Sequence, residues 1–319
     1  MDIVRRVFKE PDRMAAQEQI IRAVMADPLH FLHQYCQDLR TFEGRYINSD
    51  LMKETFQLYR ASKEARNYYN LPVHNAAAAL AAMQFSVVVQ SRAHPEQVVM
   101  HFVTGTPGSG KTTVIQEHGM LPNNVRGVYE GQLVDENAIY KIREALDAGL
   151  RARISVVHTT PETALDNAIN RFNLVGRGAS IALIANILGD LPAGLHRIHK
   201  QYGGAVTLDI LDKRDQFNVK ILEGWKHLYI LQSEGGRERI KTRLSEYLEA
   251  IRGRISAACY DQATGRAPVF RGRDKTEPSG VVAESSGQQQ ADGLGPGIPG
   301  GTLQDGLLIH WPSKRQRMR

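Results

Sequence analysis

One short run constrains this chain more than any other: Gly105-Thr106-Pro107-Gly108-Ser109-Gly110-Lys111-Thr112, followed by Thr113. A Gly-x-x-x-x-Gly-Lys-Thr spacing carries physical meaning when a strand leads into it and a helix leads out. Both flanks comply, with an apolar strand expected over 98–103 and a helix opening over 111–117. In that setting Gly105, Gly108 and Gly110 allow a tight turn that brings backbone N–H groups together around an anion. The helix start adds its positive dipole end at the same point. A loop of this kind commits the chain to a strand–loop–helix unit, the building block of a parallel sheet.

The rest of the middle region repeats the alternation. Strands are expected at 125–129, 153–157 and 205–211, and helices at 136–148, 161–172 and 178–201. The expected fold is therefore α/β, a P-loop parallel sheet flanked by helices on both faces. Ahead of it, Ile20, Ile21, Val24, Met25, Leu29, Phe31 and Leu32 recur at helical spacing, with a break at Asp27-Pro28. A short strand at 45–48 follows, then helical patterns over 51–69 and 73–89. The last helix is expected over 237–258, on a narrow stripe of Ile240, Leu244, Leu248 and Ile251. Beyond it Gly, Pro, Ser and Gln dominate and too few apolar residues remain to build a core. The expected organisation is an N-terminal helical region (1–44), a core (45–258) and a disordered tail (259–319).

With 42% hydrophobic and 23% charged residues in 319, the chain has enough apolar material for a core, and no apolar run is long enough to span a bilayer. The N-terminus carries no signal-peptide pattern, and Cys36 and Cys259 form neither a metal spacing nor a disulfide framework. The expectation is a cytoplasmic protein without a membrane partner. The net charge of +6 and the pI of about 9.3 favour anionic partners. No interleaved basic and aromatic surface points to nucleic acid in particular.

The chemistry expected of the loop is binding of ATP with Mg2+. Lys111 would reach the β and γ phosphates, and the Thr112 hydroxyl would coordinate the metal. ATPases, GTPases and motors share such a loop, so the other residues must specify the reaction. Asp50, after the 45–48 strand, is positioned either to take a proton from a substrate hydroxyl or, with Asn48, to cap the helix that follows. Glu130 ends a strand before Gly131 and would hold a metal-bound water or a substrate hydroxyl, or else belong to a surface turn. Arg171 and Arg177 would stabilise a transferring phosphoryl group, on a segment that Gly176 and Gly178 would let move as a lid.

In series, these residues resemble the zeta-toxin family of P-loop kinases. The likeness runs over about residues 45–230: Asn48-Ser49-Asp50, the loop 105–113, Glu130-Gly131-Gln132-Leu133, Gly176-Arg177, Leu191-Pro192-Ala193-Gly194-Leu195 and Asp212-Lys213-Arg214-Asp215. The resemblance implies Asp50 as catalytic base, Asn48 and Glu130 at the substrate, and a nucleotide-sugar such as UDP-N-acetylglucosamine, or a nucleotide such as NAD, as acceptor. It also implies an antitoxin protein as partner. Two departures stand out. The Asn-x-Asp strand precedes the phosphate loop instead of following it, and Gln132 replaces the usual Thr. A swap of segments would still bring Asp50 to the γ-phosphate; without it, Asp50 is a cap and Asp135 is the next candidate base. Rival readings are a polynucleotide kinase or nucleic-acid-dependent ATPase, and a nucleotide-dependent switch.

Overall fold

The computed structural model describes residues 2–91, 94–116, 120–215, 218–266 and 268. Met1–Phe270 form one compact unit, and the expected tail lies outside the described residues from 269 onward.

Helix α1 (Pro11–Ala26) begins on proline, whose missing N–H would be unpaired in a first turn anyway. Asp27 then accepts the His30 N–H at 3.0 Å and starts α2 (Pro28–Gln37), so the break falls where Asp27-Pro28 predicts it. Strand β1 (Tyr46–Asn48) leads into α3 (Ser49–Met52), a 3-10 turn (Lys53–Thr55), α4 (Gln57–Arg60) and α5 (Lys63–Tyr69). The helical stretch expected over 51–69 is thus broken. Phe56 takes an extended conformation, which turns Phe56 and Tyr59 into the core, where both are buried. The alanine-rich helix α6 (His74–Gln90) follows.

The alternating region holds β2 (Val99–Thr104), α7 (Lys111–Gln116), β3 (Val125–Glu130), α8 (Glu136–Asp147), β4 (Arg151–His158), α9 (Pro161–Val175), α10 (Ile181–Tyr202) and β5 (Val206–Asp212). A strand not foreseen, β6 (Lys220–Glu223), runs antiparallel along β5. Helix α11 (Arg237–Ile251) stops short of the expected end, and a separate α12 (Ala257–Thr264) follows. Cys259 and Ala263 of α12 are buried against α9, α10 and α11, so the folded unit passes the boundary expected at 258.

Among the described residues the sheet has six strands in the order β1-β3-β2-β4-β5-β6, parallel except for β6. The strand that comes first in the chain therefore lies at the sheet edge, separated from the phosphate-loop strand by β3. Parallel pairing brings all the carboxyl ends to one edge, where open α/β sheets bind ligands. The register sets Asn48 beside Glu130, and Glu130 beside Val103. One apolar core joins the sheet to α6 and to the N-terminal helices through Ile21, Val24, Tyr35, Leu80, Phe102 and Ile154. The N-terminal helical region is thus packed on the same core as the sheet. Among the described residues no single helix is long and apolar enough to cross a membrane.

Candidate active site

The loop from Gly105 to Gly110 turns at the carboxyl end of β2 and is wedged against α9. Gly108 has φ +84°, and a Cβ there would lie 2.2 Å from the Ala164 carbonyl oxygen, so only glycine fits. The Asn167 amide donates to the Gly108 carbonyl at 2.8 Å and ties the loop to the same helix. Lys111 Nζ donates to the Gly105 and Thr106 carbonyls, both at 2.9 Å, and stands 3.8 Å from Glu130 Oε1. Burial lowers the Lys111 pKa, while the nearby Glu130 charge works the other way. The hydroxyls of Thr106 and Ser109 are buried and have no hydrogen-bond partner among the described residues. The loop opens into a cleft of about 440 Å3 lined by Ser109, Lys111, Thr112, Glu130, Arg171 and Lys213, among others.

Glu130 sits at the centre of a polar chain. The Tyr46 hydroxyl donates to Glu130 Oε2, the Asn48 amide donates to the Tyr46 oxygen at 2.9 Å, and Thr112 Oγ1 is 3.5 Å from the same Glu130 oxygen. Burial and the adjacent Glu130 charge push the Tyr46 phenol far above its ordinary pKa, so it stays protonated and donates. Mg2+ binds through one or two protein groups together with substrate phosphates. The Thr112 hydroxyl and Glu130 carboxylate, side by side at the loop mouth, suit that donor set. Glu130 is therefore part of the cleft, not of a surface turn.

At α3 the cap is Asn48, not Asp50. Asn48 Oδ1 is the helix cap, accepting the N–H groups of Asp50 at 2.7 Å and Leu51 at 3.1 Å. The Asp50 carboxylate makes no cap bond; Oδ1 accepts from Lys53 Nζ at 2.9 Å and Oδ2 from Arg177 at 3.2 Å. Burial opposes its charge, but Lys53 and then Arg177 outweigh it and hold the carboxyl well below the usual range. The alternative base, Asp135, is itself a cap, accepting the Ala138 N–H of α8 at 3.2 Å.

Arg171 lines the cleft from α9, and its Nε donates to the Arg177 carbonyl at 3.1 Å. The glycines next to Arg177 lie close to other elements. A Cβ on Gly176 would lie 2.0 Å from the Lys63 carbonyl oxygen, and one on Gly178 would lie 2.1 Å from Gln262 Oε1. Gly176, with φ +76°, serves close packing against the backbone of α5, while Gly178 faces the movable end of the Gln262 side chain. The Gly176 contact holds the backbone beside Arg177, whose side chain reaches Asp50.

The structure thus gathers Lys111, Thr112, Glu130 and Arg171 around one cleft and pairs Arg177 with Asp50. It also adds residues to which the sequence reading assigned no role: Tyr46, Lys53 and Asn167. Lys213 falls in the charged turn 212–215, and its ammonium lies close to Gly110. Thr163 and Asn167, one helical turn apart on α9, carry no motif of their own. Against protein-family models the chain has no match, and none of the curated proteins is significantly similar to it.

Proposed function

We propose that this chain is an ATP- and Mg2+-dependent kinase that transfers the γ-phosphate to a hydroxyl of a nucleotide-sugar or related nucleotide. The observation that carries the reading is a complete phosphate loop and a cation-held carboxylate that caps no helix, Asp50, at the same carboxyl end of one sheet, with Asp50 close enough to act on the Lys111 charge. The loop N–H groups and Lys111 hold the phosphates. Thr112 and Glu130 hold Mg2+, which neutralises charge on the transferring group when bound. Arg171 offsets the charge that spreads over the phosphoryl oxygens. Asp50 orients the acceptor hydroxyl and receives its proton as the hydroxyl oxygen bonds phosphorus and the bond to ADP breaks. A low-pKa carboxylate suits this task, because phosphoryl transfer is mostly dissociative and the proton leaves late.

The acceptor class and a possible antitoxin partner rest on the zeta-toxin resemblance. The test is transfer from labelled ATP with Mg2+ to UDP-N-acetylglucosamine, NAD and a short RNA, offered separately, with Asp50→Asn beside the wild type. A labelled small nucleotide, lost in Asp50→Asn while ATP binding persists, is the expected result. Labelled RNA alone would make the protein a polynucleotide kinase. Bound ATP with no product on any acceptor would make it a switch.

A further inference from the structure

We propose that Lys53 is a positioning residue for Asp50: it anchors one carboxylate oxygen so that the other is the one offered to the acceptor hydroxyl. The proposal rests on the transfer reading above. Its basis is an asymmetry between the two cations on Asp50. Lys53 Nζ is held at two points, Asp50 Oδ1 at 2.9 Å and Asn70 Oδ1 at 2.7 Å, and its side chain is 3% exposed. Asn70 follows α5, so this ammonium ties the turn after α3 to the segment leading into α6. Arg177 makes one longer contact, 3.2 Å to Oδ2, from a side chain 17% exposed. Its carbonyl also accepts from Arg171, which lines the phosphate cleft.

A buried ammonium is costly to desolvate, and removing either partner of such a pair leaves the other uncompensated. The Lys53 contact is therefore the fixed one. Displacement of the single Arg177 contact, while the Lys53 contact stays, frees Oδ2 without moving the carboxylate. The Asp50 carboxylate would otherwise rotate among its side-chain conformers, and fixing Oδ1 leaves Oδ2 in one direction. Asp50 itself is 37% exposed at its side chain, enough for a hydroxyl to reach it. The titratable and charged groups acting on the pair are Arg177, Arg171 of α9, Tyr59 of α4, His74 of α6 and Lys111 of α7. Burial brings His74 down to about 4, so it is neutral near pH 7 and adds no competing charge.

The experiment follows the Asp50 carboxyl carbon by NMR in the full chain, its resonance assigned by its loss in Asp50→Asn, together with the pH profile of transfer. In the wild type it shows no titration between about pH 8 and 4. In Lys53→Met, of similar volume, the midpoint rises and kcat falls about ten- to a hundredfold, with KM for ATP within about twofold. The acid limb of the profile moves up with the midpoint. Asn70→Ala keeps the charge but loosens the tether: kcat falls several-fold while the Asp50 midpoint stays low. It also keeps the test open if Lys53→Met does not fold. An unmoved Asp50 midpoint in Lys53→Met, or an unchanged kcat in both variants, overturns the proposal. A wild type that holds Asp50 low yet phosphorylates nothing overturns the kinase reading instead, and the tether then stands on the resonance.

Discussion

Replacing Gly108 with alanine separates two reasons for a glycine in the phosphate loop. Gly108 has φ +84° and Gly149, in the turn before β4, has φ +80°. Alanine in that left-handed region costs about 1–2 kcal/mol at either site. The surroundings differ. A Cβ at Gly149 meets nothing within 4 Å, whereas at Gly108 it lies 2.2 Å from the Ala164 carbonyl oxygen, against ordinary contacts that begin at 3.4 Å. That oxygen belongs to the backbone of α9 and cannot swing aside, so the loop must retreat by roughly 1 Å. The retreat also stretches the Asn167–Gly108 bond, now 2.8 Å. A displacement of about 1 Å in a positioning element costs on the order of a hundredfold. Isothermal titration with Mg·ATP should show weaker binding in Gly108→Ala and unchanged binding in Gly149→Ala, with transfer about a hundredfold slower in Gly108→Ala, while denaturant melts show a stability loss of about 1 kcal/mol or more in both. Wild-type affinity in Gly108→Ala would refute the claim that this loop seats the phosphates.

Three further outcomes follow from the same geometry. Thr112→Val removes the hydroxyl beside Glu130; it should weaken Mg·ATP binding at least about tenfold yet leave metal-free ATP affinity unchanged, and equal losses in both titrations would count against Thr112 as a ligand. Gly176→Ala forces a Cβ to 2.0 Å from the Lys63 carbonyl oxygen; it should lower stability by about 2 kcal/mol or more and reduce transfer, because Arg177 moves with it. His101 is buried, and burial lowers its pKa from 6.5 to about 3. Between those values the unfolded chain holds a proton that the folded chain does not, so stability falls as pH drops from about 6.5 toward 3. In His101→Gln the slope of unfolding free energy against pH should lessen by up to about 1.4 kcal/mol per pH unit in that window, and an identical slope would show that His101 is not the group.

What the sequence determined by itself is local. The phosphate loop is legible because its spacing, its glycines and its flanking strand and helix lie within a few residues of one another, as does the Asp27-Pro28 helix break. The alternation of strands and helices, read from short-range periodicity, was enough for a parallel sheet flanked by helices. Asn48 and Asp50 were legible as a pair, but which of them caps α3 depends on where the Asp50 carboxylate finds its cations. Lys53 is only three residues away, yet it carries no motif. Its burial and its bond to Asn70 come from tertiary packing. The edge position of β1, which sets Asn48 beside Glu130, is a choice of strand pairing across more than eighty residues. The tie between Tyr46 and Glu130 depends on it. Gly176 and Gly178 read as hinges in sequence because glycine is permissive of both motion and close approach. Only the neighbouring Lys63, brought there by tertiary packing, decides that Gly176 serves close approach.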